Sequence, residues 1–286
     1  MKKKFKLFFI IIFILIFIIS LLFLYSRFIA TNGLIVKEYK ITNSNLSDKF
    51  HGLKIVHLSD LHYGTTFNNK ELTKLINKIN LTKPDIVVLT GDLFDKSYEP
   101  NNNQINHIIK SFNQIETTIG KYAISGDQDN NSNWEKIINN SHFINLNNDY
   151  TSIYDEENNY IFLAGLSSNL NDEINPKINK IENYLSSLNN ENQPIFKILL
   201  MHEPDYINNF NYSNYDLILA GHSLNGQIRI PFLGAIYTPK GSKKYFDEYY
   251  KLKNTDLYIS SGLGTTKYNF RFLNKPSFNL YRLTNK

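Results

Sequence analysis

The chain has 286 residues, with 31 Lys and Arg against 26 Asp and Glu, 7 His and no Cys. The absence of cysteine excludes disulfides, thiolate metal sites and a cysteine nucleophile, without choosing a compartment. Four of the bases, Lys2, Lys3, Lys4 and Lys6, precede one apolar run; setting them aside leaves 27 bases against 26 acids, too neutral a surface for non-specific nucleic-acid binding.

That run, Leu7 to Tyr25, is broken only by Ser20 and is long enough to cross about 30 Å of hydrocarbon as a helix. It exceeds the usual signal core of about 7–15 residues, and Ser26-Arg27-Phe28 offers no small-x-small cleavage site, so a retained anchor at 7–25 is expected rather than a signal peptide. The lysines before it predict a cytoplasmic tail at 1–6 and a domain facing outward from the cell membrane. Residues 35–286 suffice for one α/β domain.

In chain order, Ile35–Thr42 alternates weakly as a strand, Leu53–Leu58 reads as a buried strand, and Asn69–Asn80 places Leu72, Leu75, Ile76 and Ile79 at helical spacing. Asp85–Thr90 is the next strand, Ile105–Ile115 a helix, Tyr122–Ser125 a strand and Trp134–Asn139 a short helix. This is the alternation of a parallel sheet with helical crossovers. Spacing shortens into strand pairs from Phe143 to Leu166; a helix follows at Ile174–Leu188 and strands at Ile195–Met201 and Asp216–Ala220. Gln227–Ile230, Asp256–Ser260 and Phe278–Leu283 read as closing strands, and Asn101-Asn102-Asn103 and Asn189–Asn192 as polar loops. The stretch Lys240–Lys253 mixes lysines with Tyr245, Phe246, Tyr249 and Tyr250, which reads as a solvated loop or a face for anionic lipid.

Polar islands follow these apolar runs: Asp60-Leu61-His62, Gly91-Asp92, Gly126-Asp127-Gln128-Asp129, Met201-His202 and Gly221-His222-Ser223-Leu224. Asp60 and His62, two apart, would share a face if the strand continued. Carboxylate oxygen with imidazole nitrogen suits Mn²⁺, Fe²⁺ or Zn²⁺, and a carboxylate such as Asp92 can bridge two ions. A single Asp or His is usually a cap or a packed polar group; five islands in register predict a metal site. His57, inside its strand, reads as a core histidine, and Trp134 as a packing anchor.

Residues 53–64 (LKIVHLSDLHYG), 84–95 (PDIVVLTGDLFD), 199–205 (LLMHEPD) and 221–228 (GHSLNGQI), with Gly262-Leu263-Gly264-Thr265, Arg271 and Pro276, resemble the calcineurin-like metallophosphoesterases, most closely their bacterial membrane-associated branch. The resemblance implies a four-layer α-β-β-α sandwich and two divalent metals, one held by Asp60, His62 and Asp92, the other by Asp92, Asp127, His202 and His222. It implies hydrolysis of a phosphodiester, pyrophosphate or phosphomonoester by metal-activated water, without a covalent intermediate.

The chain departs from the family pattern in its third and fifth motifs. Asp127-Gln128 stands where the family has Asn-His, and Leu224 stands where it has the second histidine of Gly-His-x-His. Gln128 cannot donate a proton as a histidine does, and general acid help is worth roughly 10²–10⁴-fold. An anchored phosphoesterase acting on a phosphorylated small molecule or lipid-linked substrate is therefore expected, with a catalytically impaired pseudo-phosphoesterase serving as a binding or regulatory domain as the alternative.

Overall fold

A computed structural model describes residues 2–129, 132–168, 174–188 and 194–286. The expected polar loop at Asn189–Asn192 lies outside them. Helix α1 (Lys2–Leu24) opens the chain and passes through a single π-helical turn, Tyr25–Ile29. At 1.5 Å per residue its 23 residues extend about 35 Å, enough to cross a bilayer, and its apolar side chains are exposed.

Then come β1 (Ile35–Thr42), β2 (Lys54–Leu58), α2 (Asn69–Thr82), β3 (Ile86–Thr90), α3 (Asn102–Phe112), β4 (Gly120–Ile124), α4 (Ser132–Asn140), β5 (Phe143–Asn145), β6 (Asp149–Tyr154) and β7 (Tyr160–Leu166). Beyond them lie α5 (Ile174–Leu188), β8 (Phe196–Met201), β9 (Leu217–Ala220), β10 (Arg229–Ile230), β11 (Gly234–Ala235), β12 (Tyr249–Leu252), β13 (Thr255–Ile259) and β14 (Ser277–Thr284). One sheet runs β1-β14-β2-β3-β4-β5 and a second β12-β13-β9-β8-β7-β6.

The layers follow from strands whose two faces are both apolar, as sheets covered on both sides require. Val56, Leu58, Val87 and Leu89 pack outward against Leu72, Leu75 and Ile79 of α2, Ile105 and Phe112 of α3, and Trp134 of α4. Ile55, Ile86, Val88 and Ile124 point the other way, against Ile161, Leu163, Ile198, Leu200 and Leu217 of the second sheet. The reverse side of that sheet, with Phe162, Leu199 and Ile218, is covered by Ile178, Ile181 and Leu185 of α5. The chain thus forms the expected four-layer sandwich, helix, sheet, sheet, helix.

Three segments differ from the sequence reading. Asn101-Asn102-Asn103 is not a loop: Asn101 caps α3, its side chain accepting from the Gln104 N–H at 3.0 Å while the Gln104 side chain accepts from the Asn101 N–H at 2.9 Å. Part of Lys240–Lys253 is β12, the edge strand of the second sheet, paired antiparallel with β13. Gln227–Ile230 shrinks to the two residues of β10, because the Gln227 side chain holds the Thr266 N–H and the Tyr268 carbonyl instead.

Candidate metal centre

The strands β2, β3 and β4 of one sheet and β8 and β9 of the other end beside one another, and the polar islands lie on the loops that leave them. Glycine permits the close approach. A Cβ on Gly91 would stand 2.5 Å from the Gly126 nitrogen and 2.7 Å from His202 Nδ1, and one on Gly221 would stand 1.9 Å from Ser59 Oγ.

Asp60 and His62 do not share a strand face. β2 stops at Leu58, and Asp60 and His62 take left-handed backbone conformations at φ +51° and +41°. Neighbouring loops impose this: the Asp60 N–H donates to the Gly91 carbonyl, the His62 N–H donates to the Asp92 carbonyl, and the Asp60 carbonyl accepts from Leu263 and Gly264, all at 2.9–3.0 Å. Asp92 (φ +56°) and His222 (φ +64°) are left-handed as well. Such conformations cost on the order of 1–3 kcal/mol each and collect where surrounding structure over-determines a site.

Asp60, His62 and Asp92 form one cluster; Asp92, Asp127, His202 and His222 form another, with the ligand atoms in each within 4.8 Å of one another. His62 Nε2 lies 3.8 Å from Asp60 Oδ1 and 3.7 Å from Asp92 Oδ2. His202 Nε2 is 3.4 Å from both Asp92 Oδ2 and Asp127 Oδ1, and His222 Nδ1 is 3.2 Å from Asp127 Oδ1. Every one of the six residues singled out from the sequence is therefore in the cleft.

Both imidazoles of the second cluster are oriented from behind. His202 Nδ1 faces the Thr90 carbonyl at 2.6 Å and His222 Nε2 the Lys240 carbonyl at 2.7 Å. Protonated there, the rings turn His202 Nε2 and His222 Nδ1 inward as lone pairs, the arrangement of metal-ligating histidines. His62 Nδ1 and Nε2, Asp92 Oδ2 and Asp127 Oδ1 are buried and accept or donate no hydrogen bond among the described residues. Buried polar atoms are nearly always partnered, so this convergence of orphans fits divalent cations in donor type and in charge.

The electrostatics agree. Burial pushes the Asp60 carboxyl up from its ordinary range, with Asp92 adding to the effect. Burial acts the same way on Asp127, but the close His202 and His222 rings prevail and hold it well below that range. Burial would depress His202 and His222; the carboxylates around them overcome it and raise both. A cation would displace those protons.

Three residues lie within the motifs but are given no role by the sequence reading. Asp129 clamps two loops: Oδ2 accepts from the Asp92 and Gly126 N–H groups at 2.7 and 2.8 Å, and Oδ1 accepts from Leu93 at 2.9 Å. Burial and then Asp92 push its carboxyl up to about 7. Arg271, fully buried, donates to the Ser261, Gly262 and Gly264 carbonyls and so shapes the loop that holds Asp60. Burial lowers its guanidinium to about 9. Asn225 ties the His222 loop to Ser261 at 2.8 Å.

The two departures from the family pattern have definite surroundings. The Gln128 side chain accepts from the Lys96 N–H at 2.8 Å, and the Gln128 backbone N–H donates to Asp92 Oδ1 at 3.0 Å. It lines an open cleft of about 540 Å³ with Asp127, Lys96, Lys267 and Asn269. Leu224 is buried and turned into a separate apolar pocket of about 220 Å³ with Ile228, Ile236, Tyr237 and Tyr268.

The sequence pattern of the calcineurin-like phosphoesterases matches residues 53–226, more than half of the chain. The chain belongs to that family. It is 30% identical over 263 residues to the metallophosphoesterase YkuE of Bacillus subtilis, covering 91% of this chain and 88% of that one. Similarity extends to the UDP-2,3-diacylglucosamine pyrophosphatase LpxG of Chlamydia trachomatis, 25% over 297 residues, covering 84% and 87%. The transmembrane protein with metallophosphoesterase domain of Danio rerio is 25% identical over 246 residues, covering 80% of this chain and 52% of the fish protein, so the chain spans about half its length.

Proposed function

We propose that this chain is a membrane-anchored, metal-dependent phosphoesterase that hydrolyses a phosphodiester, pyrophosphate or phosphomonoester. The observation that carries the reading is the pair of buried clusters joined at Asp92, with its orphaned ligand atoms facing one another. In this reading Asp60, His62 and Asp92 hold one divalent cation, and Asp92, Asp127, His202 and His222 the other; Mn²⁺, Fe²⁺ or Zn²⁺ suits the donors. Cations held there supply Lewis acidity toward a phosphoryl oxygen and acidify water. The chain's own groups do the rest. The Thr90 and Lys240 carbonyls keep the two imidazoles aimed inward. Asp92 turns one oxygen to the clusters while the Gln128 N–H holds the other, and Lys96 and Lys267 bring positive charge to the cleft where a phosphate enters.

α1 serves as a single-pass anchor ahead of a catalytic domain at 35–286, and the lysines before it favour an extracytoplasmic domain. The Chlamydia relative is a UDP-2,3-diacylglucosamine pyrophosphatase, which favours a lipid-linked substrate. Gln128, engaged by Lys96, and Leu224, buried among apolar side chains, favour the second reading, a pseudo-phosphoesterase that binds without turnover.

The two part on one measurement. The full-length chain in detergent micelles, supplied with Mn²⁺, is expected to hydrolyse bis-p-nitrophenyl phosphate, and Asp92→Asn to lose about 10³-fold or more, because one substitution weakens both clusters. A folded chain inactive with every divalent metal would select the pseudo-phosphoesterase.

A further inference from the structure

The foot of α1 lands on one loop. Phe23 packs on Phe270 with ring centroids 5.0 Å apart, Tyr25 meets Phe272 edge-on at 5.8 Å, and the Arg271 N–H donates to the Ser26 carbonyl at 3.0 Å. The same loop holds β10: the Arg229 N–H donates to the Phe272 carbonyl and the Phe272 N–H to the Gln227 carbonyl, at 3.0 and 3.3 Å. The end of the apolar helix and the β10–β11 hairpin therefore belong to one continuous surface.

The tip of that hairpin is Pro231-Phe232-Leu233. Phe232 is fully exposed in left-handed backbone at φ +69°, and Leu233 is 80% exposed. Ile236, Tyr237, Tyr268 and Leu273 extend the exposed apolar area around them. A bulky side chain at positive φ with nothing packed on it is unfavourable on both counts in water. A contiguous patch of this kind marks a partner surface or a membrane.

The rim indicates which. Lys243 and Lys267 place their ammonium groups 5.1 and 4.9 Å from the centre of the Tyr237 ring, and Lys267 lies 5.4 Å from that of Tyr268. No acidic residue lies between Arg229 and Tyr237, and Asp247 beside them is paired with Arg229 at 2.7 Å. Apolar tip, then tyrosine, then lysine is the order of groups met on leaving hydrocarbon for anionic head groups.

We propose that the β10–β11 hairpin enters the leaflet beside α1, so that bilayer lipid is the partner of this face and the domain is held at two points. The proposal rests on reading α1 as a membrane anchor. It fixes the tilt of the cleft as well as its height. Thr266, Lys267 and Asn269 line the cleft and run directly into Phe270, so its mouth opens at the lipid surface. The apolar pocket beside Leu224 shares Ile236 and Tyr237 with the chain leaving the hairpin.

Because the chain has no cysteine, single cysteines can be read without background. Phe232→Cys, Leu233→Cys, Phe17→Cys within α1 and Tyr154→Cys on β6 are each labelled with bimane in the full-length chain, reconstituted in phosphatidylcholine–phosphatidylglycerol vesicles with or without doxyl-labelled lipid. Labels at 232 and 233 are expected to be quenched by the lipid quencher at least half as strongly as the label at 17, and to be shielded from aqueous iodide, while the label at 154 behaves oppositely. Quenching at 17 with iodide access at both 232 and 233 equal to that at 154 would overturn the hairpin and leave the anchor standing. Iodide access at 17 would overturn the anchor reading and the proposal together.

Discussion

The two clusters share Asp92 but are finished differently. In the second, both imidazoles are held from behind by backbone carbonyls, and Asp127 lies within 3.4 Å of each ring. In the first, His62 makes no hydrogen bond through either nitrogen among the described residues, and Leu224 directs a hydrocarbon side chain into its own pocket where the family has a second histidine. Outer partners that fix a ligand's orientation typically change metal affinity by 10–100-fold. On the proposed reading, the second cluster is the tighter metal site and the first the looser.

The comparison is broken most forcefully at Gln128, whose backbone N–H donates to Asp92 and which lines the open cleft beside Asp127. Gln128→His supplies a group able to protonate a departing oxygen, which glutamine cannot do. Turnover of an alkyl phosphate ester is expected to rise about 10²-fold, with little change for p-nitrophenyl esters, whose leaving group needs no proton. Equal rises for both substrates would show that the histidine binds substrate instead of acting on the leaving group.

The next test addresses the loose cluster alone. Leu224→His should tighten the weaker of two metal-binding steps by about tenfold or more and leave the stronger one in place. Calorimetric titration of the metal-stripped chain with Mn²⁺ reads both steps. If the stronger step moved instead, the assignment of tight and loose clusters would be reversed.

Much of this was legible in the sequence because the central strands are covered on both faces. β2, β3, β8 and β9 appear as largely apolar runs, and α2 appears at its helical spacing. β12 was hidden because a short edge strand of two tyrosines, a lysine and a leucine, set among further lysines, looks like a charged loop, and the start of α3 because asparagine signals a turn and a cap alike. The ligand set followed from the order of motifs. Its geometry did not, since the left-handed turns at Asp60, His62 and Asp92 are imposed by loops 30 or more residues away, and so is the clamp by Asp129. Local pattern carries no record of such contacts.

A third histidine separates the effect of burial from that of the carboxylates. His57 and His202 are both buried, yet burial drives His57 down to about 3 while the acids around His202 raise it. Among the described residues His57 hydrogen-bonds to neutral groups, Thr90 Oγ1 at 2.8 Å and the Tyr281 hydroxyl at 3.3 Å. Its consequence for stability has a definite sign. Above pH 6.5 the ring is neutral whether folded or unfolded; between 6.5 and about 3 only the unfolded chain takes up the proton, so stability falls as pH falls, by up to about 1.4 kcal/mol per pH unit. His57→Gln retains hydrogen bonding and does not titrate. The stability difference between the two chains, measured by denaturant unfolding in detergent, is expected to be flat above pH 6.5 and to shift toward the variant below it. A difference that stayed flat down to pH 4 would mean that His57 is protonated in the fold, and that buried histidines here need no nearby carboxylate to carry charge.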